Sequence, residues 1–193
     1  MAYTRVRRVT MAVAVVAALF HLYAAGFSPF TALIQRPIHL ALMAVLGFLG
    51  VGLVAASDDE ELPESGATET EGAGVDSDEG SGPGLLSWIL AGLSVAVCVY
   101  LAAESQELVQ RSGSPTTWDL VFGAAAVLLT LELARRTTGW GLVAVCVLAL
   151  GYAVAGPYLP GILAHRGYGS VRLIEHLYLS TEGIWGVPLG VSA

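Results

Sequence analysis

The chain has 193 residues, 55% of them hydrophobic and 13% charged, with a mean hydropathy of +0.68. A soluble globular domain carries about 25% charged residues, so half that share excludes an ordinary soluble domain and points to a membrane protein. The net charge of -7 is concentrated in one place: ten of the 16 acids fall between Asp58 and Glu79, where there is no base, and the rest of the chain sets nine arginines against six acids.

The first element opens with Arg5, Arg7 and Arg8 and continues as an apolar run over residues 9–25. Basic residues before an apolar stretch also mark signal peptides, but their apolar core is only about 7–15 residues long. This run is longer and further spans follow, so a retained first span is expected. A connector over 26–36 leads to Pro37, placed where the first turn of a helix tolerates a missing N–H. The second span is expected at 38–56. Residues 57–84 are rich in Glu, Asp, Gly and Ser and nearly free of large apolar side chains. Such a segment cannot bury enough surface to offset its ordering entropy, which predicts a disordered acidic linker. It is not an EF-hand loop: counted from Asp76, the twelfth position, which needs a bidentate Glu, is Ser87.

The third span is expected at 85–103, followed by a polar connector over 104–117 with a Ser-Gly-Ser-Pro turn signal. Two further apolar runs, 120–134 and 142–155, flank Arg135-Arg136-Thr137-Thr138-Gly139. Each run with its flanks gives about 17 residues, the lower limit for crossing a hydrocarbon core of about 30 Å. Neither alternates like a half-buried strand or carries the polar stripe of a soluble helix. Trp118 and Trp140 stand where interfacial aromatics are favoured. Cys98 and Cys146 lie in mid-span without a CxxC or Cys/His spacing and read as small buried hydrophobes.

After Gly156, two prolines and three glycines interrupt regular structure over 157–170. Residues 171–182 place Val171, Ile174, Leu177 and Tyr178 on one helical face, as in a helix lying along the interface or packing on a partner. The last residues, 183–193, begin an apolar run too short to cross, so the chain is expected to be the front of a longer protein. The predicted fold class is therefore all-α: a polytopic transmembrane bundle of about five spans, with an acidic disordered loop and an interfacial helix near the C-terminus. Its segments are 1–56 (two spans), 57–84 (linker), 85–156 (three spans) and 157–193 (loop, interfacial helix and the start of a further subunit).

With Arg5, Arg7 and Arg8 cytoplasmic, alternation brings Arg135 and Arg136 to the same side, against Arg36 and Arg111 in the opposite connectors. This agrees with the positive-inside rule and predicts a cytoplasmic N-terminus. Arg166 and Arg172 in the tail fall on the other side and narrow the bias.

Glu132 is the acid that stands well inside a span. Arg135 and Arg136 follow it by three and four residues, where helical neighbours meet. Intramembrane acids often mark ion paths, but two ready cations favour a structural ion pair or interface made by Glu132, Arg135 and Arg136. His21 and His39 flank one short connector and are expected to face each other as a polar contact. No catalytic residue is expected: Ser180, Ser192, His165 and His176 are present, but there is no nucleophile elbow and no acid pair. No metal or cofactor site is expected, and the absence of a phosphate-binding Gly loop or a basic stripe argues against nucleic acid. Gly123, Ala124, Ala125 and Ala126 allow close helix approach.

The stretches FHLYAAGFSPFTALIQRPIHLALM, ELVQRSGSPTTWDLVFG, LELARRTTGW and, most specifically, GPYLPGILAHRGYGSVRLIEHLYLSTEGIWGVPLGVSA resemble the front part of a fused permease of the TRAP (tripartite ATP-independent periplasmic) transporters, TAXI type. The resemblance covers nearly all of the chain except the acidic linker. It implies a secondary transporter that uses an ion gradient, usually sodium, to import organic acids and related solutes delivered by an extracytoplasmic solute-binding protein. The first four spans would match the small subunit, with the fifth span and tail the junction into the large transport subunit. Substrate and coupling ion would bind in that absent part, so no substrate-binding residue is carried over. A stand-alone membrane-anchored interaction protein is the other reading of the same chain.

Overall fold

Where no water is available, only a helix satisfies every backbone N–H and C=O within one apolar segment. In the computed structural model, which describes residues 2–27, 30–58, 83–110, 113–186 and 189–190, the long elements are all α-helices and no strand occurs among the described residues. They are α1 (Ala2–Gly26), α2 (Ala32–Asp58), α3 (Leu85–Gln110), α4 (Thr117–Thr138), α5 (Trp140–Ala155) and the short α6 (Ser170–Ile174). The last passes directly into a π turn, Glu175–Leu179. Five stretches are long and apolar enough to cross a membrane: Val6–Gly26, Ala32–Gly50, Leu85–Leu108, Thr117–Thr138 and Trp140–Tyr158. The protein is compatible with a membrane-embedded, all-helical fold, with the C-terminal helix in place. Of the acidic linker, 59–82 lie outside the described residues.

Two helices begin or end elsewhere than the sequence suggests. α2 starts at Ala32, so Pro37 lies inside the helix rather than in its first turn. The carbonyl of Thr31 accepts from the N–H groups of both Ile34 and Gln35 at 2.9 Å, and the turn so nucleated runs through the proline, which forgoes one backbone bond. α3 continues to Gln110 and takes Glu104 and Glu107 into the helix. Glu132 is thus not the single acid on the spans, and the polar connector is shorter than 104–117.

Consecutive helices run up and down. His21, near the end of α1, meets His39, near the start of α2. Arg136, near the end of α4, reaches Ser87 at the start of α3 and lies over the ring of Phe48 in α2. Arg7 and Arg8 therefore share one end of the bundle with Arg135 and Arg136. The centre is a three-helix core in which Ala44, Phe48 and Leu49 of α2 pack with Val97, Cys98 and Leu101 of α3 and Ala126 and Leu129 of α4. Gly47 lets Leu133 of α4 lie directly on the α2 backbone, a close approach of the kind that small residues permit. α1 packs on α2 and α5 on α4, and both leave apolar faces outward, Leu22 at 70% and Leu148 at 73% exposed. In water such faces would forgo about 25 cal/mol of stabilisation for each Å² left unburied; against hydrocarbon nothing is lost by leaving them outward. Cys98 is buried as expected, whereas Cys146, on the outer helix α5, is only partly so.

The tail completes the core. α6 starts on the exposed surface, and the π turn then carries Tyr178 inward, where Tyr178 and Trp185 are both fully buried. Non-helical backbone at membrane depth is stable only when protein surrounds it, and here α2, α3 and α4 do so.

Candidate functional site

At the arginine end, the expected trio is assembled within one helix. Glu132 takes both nitrogens of a fork from Arg135, Nε to Oε2 at 2.8 Å and Nη2 to Oε1 at 2.9 Å, and accepts from Arg136 Nε at 2.8 Å. The spacing of three and four residues sets this geometry. Tertiary structure extends it: Arg136 Nη1 donates to Ser87 Oγ at 2.9 Å while its guanidinium lies 5.3 Å from the Phe48 ring centre. One arginine thus ties α4 to α2 and α3. Arg135 lies 5.4 Å from the Trp140 ring centre and secures the turn into α5, where Gly139 adopts φ 88°, a conformation open to glycine at little cost.

At the opposite end, His21 and His39 do meet. His21 Nδ1 is 2.6 Å from the carbonyl of Ala17 and Nε2 is 2.7 Å from His39 Nδ1. A carbonyl only accepts, so His21 Nδ1 carries a proton; in neutral His21 the bare Nε2 accepts the Nδ1–H of His39. The pair pins α1 to α2, with Phe20 stacked on Phe30 beside it.

The tail anchors sit deeper. Tyr178 Oη donates to the carbonyl of Val97 at 2.9 Å, and Trp185 Nε1 donates to the carbonyl of Tyr178 at 2.6 Å. Gly123 of α4 faces Ile174 and Tyr178, leaving no room for a Cβ. The small residue anticipated for helix–helix contact thus receives the tail instead. Arg36 of α2 donates to the carbonyls of Trp185 and Gly186; it satisfies the Trp185 acceptor, while the Gly186 carbonyl also accepts from the N–H of Gly190.

Between the start of α4 and this tail lies a cleft of about 280 Å³, lined by Asp119, Arg172, Glu175, His176 and Ser180 together with Leu108 and Leu179. Asp119 is fully buried. Its Oδ1 accepts from Tyr100 Oη at 2.7 Å, and its Oδ2 from the N–H and hydroxyl of Thr116 at 2.7 and 2.8 Å. With Thr116 Oγ1 accepting from Asp119 N, this is a capping box at the head of α4. Sequence reasoning passed over Asp119 and Tyr100, although the Thr116-x-x-Asp119 pattern before an apolar run is a legible helix-start signal.

The side chains of Ser180 and His165 are engaged with the backbone, and that of His176 faces a carboxylate. Ser180 Oγ donates to the carbonyl of His176 at 2.6 Å, and His176 Nδ1 lies 3.7 Å from Glu182 Oε2. His165 Nε2 is 3.0 Å from the carbonyl of Tyr152, and Nδ1 accepts from the N–H of Gly167 at 3.0 Å. Its ring therefore staples the loop after α5. Ser192 lies outside the described residues. No group of three or more His, Cys, Asp or Glu is placed to hold a metal ion among the described residues. No family model, curated protein or solved structure matches the chain.

Proposed function

We propose that the chain is the scaffold, small-subunit-like component of a TRAP-type secondary transporter. Driven by an ion gradient, usually of sodium, the complete system would import organic acids or related solutes with an extracytoplasmic binding protein. The observation that carries this reading is the run GPYLPGILAHRGYGSVRLIEHLYLSTEGIWGVPLG, the most specific of the resembling stretches. The same run folds back into the α2–α4 core through Tyr178 and Trp185, as suits a junction between a helical support and a transport subunit. On this proposal the protein sits in the cell membrane with its N-terminus cytoplasmic, which the grouping of Arg7, Arg8, Arg135 and Arg136 at one end supports. Its partners are lipid, the large transport subunit or remainder of the fused permease, and the solute-binding protein, with no nucleic acid. Its contribution is helix packing and a docking surface, without catalysis.

The alternative is a stand-alone membrane-anchored interaction protein. It is favoured by the segment with ten acids and no base between Asp58 and Glu79, which suits contact with a basic partner. Affinity purification from native membranes separates the two, using the intact chain and a version lacking residues 57–84. A transport scaffold co-purifies a polytopic partner whether or not the segment is present; an adaptor loses its partner on deletion. Recovery of no polytopic partner with either version rejects the transport reading.

A further inference from the structure

The cleft at the head of α4 holds an arrangement that neither reading uses. Arg172 and Glu175 stand three residues apart, the spacing at which opposite charges on an α-helix meet. The helix turns from α to π at Glu175, and the ion pairs among the described residues include neither side chain. Both line the same cleft of about 280 Å³. Asp119 forms part of its wall, its two oxygens held in place by Tyr100 and Thr116. Leu108 and Leu179 supply an apolar side.

A simple anion here would gain Arg172 and suffer Glu175; a simple cation would meet the reverse. A ligand carrying both charges a few ångströms apart satisfies each. We propose that this cleft binds a compact zwitterion, its anionic group on Arg172, its ammonium on Glu175 and a short apolar part against Leu108 and Leu179. The chemistry is shared by a free amino acid and by a phosphoethanolamine lipid headgroup, since the cleft lies near the end of the spans. The inference stands whether or not the chain belongs to a transporter.

The test uses the full chain in nanodiscs of phosphatidylglycerol alone. L-leucine is titrated by calorimetry beside 4-methylpentanoate, which lacks the ammonium, and 3-methylbutylamine, which lacks the carboxylate. Leucine is expected to bind at one saturable site and each analogue at least about tenfold more weakly, since each leaves one charge of the cleft unanswered. Arg172→Gln and Glu175→Gln, with unchanged melting temperatures, are each expected to weaken leucine binding about tenfold or more. Adding phosphatidylethanolamine to the discs identifies the source: suppression of leucine binding names the headgroup as occupant, and persistence names the free solute. Should leucine not bind in phosphatidylglycerol discs, the headgroup arm stands alone, and it requires phosphatidylethanolamine to co-purify with the parent chain and not with Arg172→Gln. Absence of both signals overturns the proposal. So does 4-methylpentanoate binding as well as leucine with no effect of Glu175→Gln, the behaviour of a plain anion site.

Discussion

The hydroxyl of Tyr178 donates to the main-chain carbonyl of Val97 across 2.9 Å, and Val97 stands midway along the Leu85–Leu108 span. The tail of the chain is therefore bonded to the middle of α3 rather than to its end. The Val97 carbonyl keeps its place in the helical ladder, so removing the hydroxyl orphans no buried group. Tyr178→Phe is accordingly expected to lower stability by only about 1 kcal/mol, and Tyr178→Ala, which empties the site, by about 3–5 kcal/mol. Thermal or denaturant unfolding in detergent measures both; equal costs for the two would mean that the ring does not fill the core.

Trp185 and Cys98 both line a small, half-open pocket of about 20 Å³ between α2, α3 and α4. In a Cys146→Ser background, Cys98 is expected to resist a membrane-permeant maleimide. Trp185→Ala should make it reactive while costing about 3–5 kcal/mol of stability. Rapid labelling of Cys98 in the parent chain would contradict the buried position of the indole.

Gly123 receives Ile174 and Tyr178 against the α4 backbone. A side chain there displaces the tail, so Gly123→Val is expected to speed tryptic cleavage after Arg166 and Arg172 by at least about tenfold, as local opening becomes cheaper. Gly92, with nothing near its Cβ position, serves as the control: Gly92→Ala should leave the cleavage rate unchanged.

Glu132 is bonded to two guanidiniums, and Arg136 also reaches Ser87 of α3 and the ring of Phe48 in α2. Arg136→Gln is expected to lower stability by about 1–3 kcal/mol, since it removes the bonds to Glu132 and Ser87 together. A double-mutant cycle between Glu132→Gln and Arg136→Gln should return a coupling of about 1–2 kcal/mol. A coupling near zero would reduce the trio to an exposed pair of the weakly stabilising kind.

Arg36 donates to the carbonyls of Trp185 and Gly186. Arg36→Met keeps much of the side-chain volume and removes the donor to the buried Trp185 carbonyl, at a cost of about 1–3 kcal/mol; the Gly186 carbonyl keeps the N–H of Gly190. The readout is a red shift of tryptophan emission as Trp185 gains water, in a background where the other three tryptophans are Phe. No shift would mean the tail holds by packing alone.

The sequence alone was enough to locate the five spans, because apolar length and the absence of a polar stripe are local properties that a membrane-spanning helix cannot hide. The Glu132 contacts were equally legible, since three- and four-residue spacing is fixed by helix geometry before any packing occurs. So was the meeting of His21 and His39 across one short connector. The Thr116–Asp119 cap was written in the sequence and overlooked. Only the tertiary structure decided that Tyr178 and Trp185, read as part of an interfacial stretch and a fresh apolar run, fill the centre of the bundle; that Gly123 faces the tail; and that Arg36 and Arg136 each bridge separate elements. Between apolar helices in lipid, burial of apolar surface gives no direction to packing. The choice falls to shape and to a few polar groups distant in sequence, and no hydropathy pattern or residue spacing encodes which of them will meet.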